Sequence, residues 1–222
     1  GYKSLVLRIN IPTQLEKNKI QSFELSTNNL NGVFVPSKGV LSINKLQSPG
    51  IAFTKSLWDS PDKPILSKEA YRKHFPLSAY GKEDSFENWA IEKNVFNQTF
   101  NTVKSKEIKL NSLSNWKQGV YQIVIKSKDK YGKEVVETQY TTLFDRKSTS
   151  LPIASQDWLM PLQTQVQPGA KASFLIGSSL NQKILVELEH DQKIIKKYWL
   201  TLNNGQKVID FPVLESYRGG FA

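Results

Sequence analysis

The chain contains no cysteine. That excludes disulfides, thiolate-ligated zinc, iron–sulfur clusters and a thiol nucleophile. Its two histidines, His74 and His190, are far apart in sequence, so neither a His-rich metal site nor a multi-histidine catalytic centre is expected. Long apolar runs are also missing. A membrane-spanning helix needs about 20 consecutive apolar residues, and nothing here approaches that. No charged-then-apolar leader with a small-residue cleavage site opens the chain. Arginine is scarce, found only at 8, 72, 146 and 218, although the net charge is +10. Readers of nucleic acid rely on the bidentate guanidinium. A basic balance carried by lysine points instead to solvated faces or weak attraction to acidic surfaces, so no nucleic-acid partner is expected.

What remains is 222 residues, 39% hydrophobic and 11% aromatic. That is enough apolar material for a packed core and enough length for one large domain or two small ones. The charge is unevenly spread. Residues 1–147 hold 23 basic against 14 acidic residues, and 148–222 hold 7 against 6. Tyr2 already reads as the approach to a strand, so the chain reads as a segment of a longer protein.

The periodicity is two rather than 3.6, which indicates strands. Apolar or alternating runs occupy 4–11, 19–26, 38–46, 119–127, 133–144, 170–177, 183–189, 193–202 and 208–213. In 119–127, Tyr121, Ile123 and Ile125 share one face. Ala172, Phe174 and Ile176 share a face in 170–177, as do Ile184, Val186 and Leu188 in 183–189. Turns are expected at Asp129-Lys130-Tyr131-Gly132, Gln167-Pro168-Gly169, His190-Asp191-Gln192 and Asn203-Asn204-Gly205. One stretch, 56–95, departs from this pattern. Within it, Ser67 followed by Glu69 starts a short helix over 67–75, and Pro76 ends it. Its aromatics, Trp58, Tyr71, Phe75, Tyr80, Phe86 and Trp89, mark it as a packed insertion.

The polar stretch 146–150 reads as a linker. The expected architecture is all-β: two tandem antiparallel β-sandwich domains of macroglobulin or fibronectin-III-like type. The first covers 1–147 with the partly helical insertion at about 56–95. The second covers 148–222, short for a full sandwich and cut off as a strand begins at Gly220, which leaves an unfilled sheet edge.

Three segments carry a family resemblance. They are Val166-Gln167-Pro168-Gly169-Ala170-Lys171-Ala172, Val186-Glu187-Leu188-Glu189-His190-Asp191-Gln192-Lys193-Ile194-Ile195 and Tyr217-Arg218-Gly219-Gly220-Phe221. Together and in this order they resemble bacterial alpha-2-macroglobulin family proteins of the Bacteroidetes type, in the domains just upstream of the bait region. Asn31-Gly32-Val33-Phe34-Val35-Pro36, Trp58-Asp59-Ser60-Pro61-Asp62 and the hairpin around Asp129–Gly132 resemble an upstream macroglobulin domain of the same family. Gln192 stands where that family usually has glycine, which argues against a tight two-residue turn there.

The resemblance implies an envelope-associated, periplasmic or secreted endopeptidase inhibitor. In such a trap a protease cuts a bait segment and the scaffold closes around it. The partners implied are other macroglobulin domains and, through the full-length protein, proteases. Without cysteine this segment holds no thioester, so the roles carried over are those of scaffold, with Arg218, Gly219 and Gly220 as a hinge toward the bait segment.

The residues offer little for catalysis, a metal or a cofactor, and none of the three is expected. Gly177-Ser178-Ser179-Leu180 lacks the second glycine of a nucleophile elbow. Glu187 and Glu189 read as the solvated side of a strand. No calcium-loop spacing and no phosphate-cradling glycine loop occur. The alternative function is a surface adhesion or glycan-binding module, with Trp58, Tyr71, Tyr80 and Trp89 as an interaction surface.

Overall fold

The computed structural model describes residues 4–17, 19, 22–57, 63–110 and 113–221. In chain order the elements are β1 (Val6–Ile9), β2 (Gln14–Glu16), β3 (Ser22–Asn28), β4 (Lys38–Leu46), α1 (Lys68–His74), β5 (Ile91–Asn101), β6 (Glu107–Lys109), β7 (Gly119–Lys128), β8 (Glu134–Phe144), β9 (Trp158–Gln163), β10 (Lys171–His190) and β11 (Lys193–Pro212). The architecture is all-β and antiparallel except where β2 runs parallel to β8.

Internal contacts gather the chain into two compact units: 1–49 with 81–145, and 50–80 with 146–222. The stretch expected as an insertion into the first unit is thus divided, 50–80 grouping with the second and 81–95 with the first. Within the second unit, Gln156 Nε2 donates to the Ala52 carbonyl at 2.9 Å and to Thr54 Oγ1 at 2.8 Å.

The first unit has two sheets, ordered β1-β3-β6 and β2-β8-β7-β4-β5. Their facing sides close one core. Leu7, Ile9, Phe23, Leu25 and Ile108 come from the smaller sheet, and Leu41, Ile43, Phe100, Ile123, Ile125 and Leu143 from the larger. From Tyr121 onward burial in β7 alternates, with Tyr121, Ile123 and Ile125 buried and Lys126 exposed, as period two requires. Each fully buried isoleucine contributes about 1.5–3 kcal/mol relative to exposure. Tyr121 keeps its polar end satisfied by donating to the Lys117 carbonyl at 2.5 Å. Burial, helped by the charge of Glu92, pushes its phenol well above the ordinary value.

β7 and β8 are joined by the expected hairpin. The Asp129 carboxylate shapes that turn by accepting from the Tyr131 and Lys133 amides, both at 2.9 Å, and from Ser4 Oγ at 2.9 Å. Desolvation pushes this carboxyl up. The Ser4 hydroxyl, the two amides and the Lys133 charge outweigh it and hold the group below its usual range.

The second unit carries one three-stranded sheet in the order β11-β10-β9, and the helix α1. Ser67 caps α1 as expected, accepting from the Ala70 amide at 3.2 Å. Three local expectations are corrected here. First, 170–177 and 183–189 belong to one 20-residue strand, β10, in which Ala172 and Leu175 are fully buried while Phe174 and Ile176 are half-buried. Second, Asn203-Asn204-Gly205 is no turn. It lies inside β11, where the pairing with β10 slips between Ser178 and Asn181. Asn204 has φ of 45°, and a Cβ on Gly205 would sit 2.7 Å from the Thr149 carbonyl oxygen, so glycine is needed for that approach. Third, His190 pairs directly with Lys193 across a two-residue loop, with φ of 48° at Asp191 and 60° at Gln192. The tight left-handed turn forms without glycine, because the long ladder on either side fixes its register.

The long hairpin formed by β10 and β11 is bent. A straight 20-residue strand spans roughly 63 Å at about 3.3 Å per residue. Yet the Val213 amide donates to the Ala170 carbonyl at 2.9 Å, at the base of the hairpin, and His190 at its tip lies 2.7 Å from the Gly220 carbonyl. The seven residues from 213 to 220 reach at most about 25 Å. The hairpin therefore doubles back, and the slipped, bulged pairing at 178–181 and 203–205 is where the ladder yields.

Candidate functional site

The doubling back of this hairpin builds a site at the end of the second unit. The turn at 167–169 is tied to the end of β11 by the Gly169 amide, which donates to the Val213 carbonyl at 2.8 Å. Beyond β11, 215–217 form one 3₁₀ turn, closed by the Arg218 amide donating to the Glu215 carbonyl at 3.3 Å, and the Gly220 amide donates in turn to the Tyr217 carbonyl at 3.1 Å. Gly219 and Gly220 then take φ of 99° and 111°, a region that side-chain-bearing residues rarely adopt. A strand beginning at Gly220 is thereby overturned: positive φ at two successive residues is incompatible with an extended ladder.

His190 clamps this terminal segment. Its Nδ1 is 2.7 Å from the Gly220 carbonyl oxygen. A carbonyl only accepts, so that ring nitrogen carries the proton. Nε2 lies 3.3 Å from the Asp191 carboxylate. The imidazole is 5.6 Å from the Tyr217 ring, which in turn is 6.1 Å from Phe221. Gln167, Pro168, Phe174, Tyr217, Gly219 and Phe221 line a cavity of about 500 Å³ beside it. Arg218 pairs with Glu215, both well exposed, a pairing of small energetic weight. The three segments that carry the family resemblance, far apart in sequence, thus meet at one place.

Of the expected aromatic surface, Tyr71 and Tyr80 come together in the second unit, edge-on at 5.4 Å. Tyr71 also meets Phe75, one helical turn on, at 5.1 Å. Tyr80 Oη donates to the Leu66 carbonyl at 2.9 Å. Trp89 falls in the first unit, with Nε1 donating to the Glu83 carbonyl at 2.7 Å and its ring 4.9 Å from Phe86. Trp58 lies outside the described residues.

Among the described residues no group of three or more histidines and carboxylates is gathered as a metal would require. Glu187 sits opposite Lys197 on the exposed face of the hairpin, and Glu189 points the same way. Ser178 is fully buried, and its hydroxyl accepts from the Leu180 amide at 3.0 Å, a role in the bulge. The residue that sequence reasoning missed is His190. It reads locally as part of a turn, and nothing near it announces a contact thirty positions away.

No protein-family model and no curated protein matches the chain. Among solved structures it is similar to Escherichia coli alpha-2-macroglobulin activated by porcine elastase, at 14% identity and a TM-score of 0.38 over 96% of this chain and 20% of that one. It is likewise similar to the native conformation of E. coli alpha-2-macroglobulin, at 12% identity and a TM-score of 0.37 over 96% of this chain and 15% of that one. The chain spans a fifth or less of the length of these two proteins.

Proposed function

We propose that this chain is a non-catalytic scaffold segment of an alpha-2-macroglobulin-like protease trap, working outside the cytoplasm in the bacterial envelope or beyond it. One observation carries the reading. The turn at 167–169, the hairpin tip at 190–193 and the stretch 217–221, whose order in the sequence resembles that family, are neighbours in space. Segments that share a motif order and also share a location are parts of one device.

The device is mechanical. Bent ladders hold position, while Arg218 leads into Gly219 and Gly220, which are free of the usual steric limit on φ and let whatever chain continues there leave at a set angle and reorient. His190 pins that exit in one state. Neighbouring macroglobulin domains and an attacking protease are the partners of such a segment.

The test uses the full polypeptide that contains this segment, incubated with a broad-specificity endopeptidase. A trap shields large substrates while leaving the enzyme's own active site open. The expected result is loss of cleavage of a large protein with continued turnover of a short peptide. Equal inhibition of both, no inhibition of either, or a coding sequence that supplies nothing beyond these 222 residues would overturn the proposal.

A further inference from the structure

Among the described residues, two long strands end a sheet with no further strand beside them, β5 in the first unit and β11 in the second. They are guarded very differently. β11 carries Lys193, Lys196, Lys197 and Lys207, is broken by the irregularity at 203–205 and ends in Pro212. Lysine, bulges and proline are the devices that keep an open edge from pairing with another chain. β5 has a bulge of its own at Val95, between the pairs Ile43 with Phe96 and Asn44 with Asn94. Beyond it, residues 96–101 read FNQTFN. They pair with β4 without interruption as far as Lys38 with Asn101, and contain no charge, no proline and no glycine. Asn97, Gln98 and Thr99 are exposed, and a groove of about 530 Å³ lined by Lys38, Gln98, Thr99 and Lys104 lies beside them.

We propose that residues 96–101 of β5 are a pairing edge for a second copy of this chain, joined antiparallel about a two-fold axis at Gln98. Self-complementarity chooses the occupant. In that register Phe96 stands opposite Phe100 of the second copy, Asn97 opposite Thr99, and Gln98 opposite itself. Phe96, Gln98 and Phe100 share the inner face with their partners Ile43, Leu41 and Gly39, Asn97 and Thr99 meet on the outer face, and no like charges stand directly opposite one another. A junction of five paired residues falls short of the roughly 1,200–2,000 Å² that stable interfaces bury, so the association is weak and concentration-dependent.

Sedimentation equilibrium of the 222-residue chain tests this directly. The expected result is a monomer–dimer equilibrium with Kd between about 10 μM and 1 mM, in keeping with so small an interface. Gln98→Lys, at an exposed position opposite Leu41, sets two like charges on the axis and weakens the dimer at least about tenfold, as does Gln98→Glu. Mixing those two variants restores association, because the charges on the axis are then opposite. The wild-type chain remaining monomeric to about 1 mM, a dimer indifferent to Gln98→Lys, or a mixture that fails to recover would each overturn the proposal. So would a monomer that takes up an unrelated extended peptide along β5 in place of its own copy.

Discussion

The two units of this protein reach order by different routes. The first closes two sheets over a shared core, with Leu25, Leu41, Ile123, Ile125 and Leu143 fully shielded from water. The second commits 40 residues to one long hairpin and leaves large apolar side chains in the open. Leu185 and Trp199, direct partners across the two strands, are 42% and 66% exposed. Area removed from water stabilises the first. Ladder hydrogen bonds and turn geometry carry more of the second. The same sequence style, alternating strands punctuated by turns, thus supports both a closed core and an open ribbon. Which one results depends on how many strands lie across from each apolar face.

Paired truncations should separate the two routes most sharply. Ile123→Ala in the first unit removes a fully buried side chain and should cost about 2–5 kcal/mol. Trp199→Ala in the second removes a larger but exposed one and should cost below about 1 kcal/mol, the range of a cross-strand surface pair. Urea unfolding followed residue by residue by NMR gives both values. Equal losses would erase the distinction.

Tyr121→Phe probes a polar group buried in the first core. Losing the bond to the Lys117 carbonyl should cost about 1 kcal/mol. The pH dependence has a definite sign. The folded phenol is raised above its unfolded value, so its contribution is complete below about pH 10 and drains away as pH rises through the folded value. Denaturation midpoints measured from pH 8 upward should fall for the wild type and fall less for the variant.

At the hairpin tip, Gln192→Gly should stabilise the second unit by about 0.5–1 kcal/mol, since glycine takes positive φ without steric cost. Slowed hydrogen exchange across 186–198, with no change in the first unit, is the expected reading. Faster exchange there would mean that the Gln192 side chain contributes more than its backbone costs.

The smallest effect concerns Asp129. Its carboxyl is held low, so it adds stability at pH values above the unfolded carboxylate range, and that contribution is lost as pH falls through the folded value. Ser4→Ala removes one of the three hydrogen bonds and should move the carboxyl back up, as a carboxyl-carbon NMR titration would report. Wild type and variant should differ in stability above that range and converge in acid.

Much of this was legible beforehand because it is local. β4 alternates from Gly39 to Asn44 and β7 from Tyr121 to Lys128, and the Asp129 turn and the Ser67 cap depend on groups within four residues of each other. β5 carries no strand signal in the sequence. The bulge at Val95 breaks its period of two, and its tail of asparagine, glutamine and threonine lacks an apolar rhythm. Asn203-Asn204-Gly205 carried a turn signal that the ladder with β10 overrode, turning it into a bend. Tyr71 and Tyr80 were picked out by residue type alone, whereas the meeting of His190 with Gly220 had no local sign.

By itself the sequence determined that β4, β7 and β8 are extended, where the hairpin between β7 and β8 turns, how α1 begins, and that no thiol chemistry is possible. Periodicity, short-range hydrogen bonds and composition settle those matters. Only the tertiary structure decided that 50–80 gathers with 146–222, that β5 and β11 end their sheets, and that the long hairpin folds back to bring 167, 190 and 220 together. A period of two says that a residue faces one side of a sheet. It leaves open which strand lies alongside and in what register, and distant contacts are set by that order and register alone.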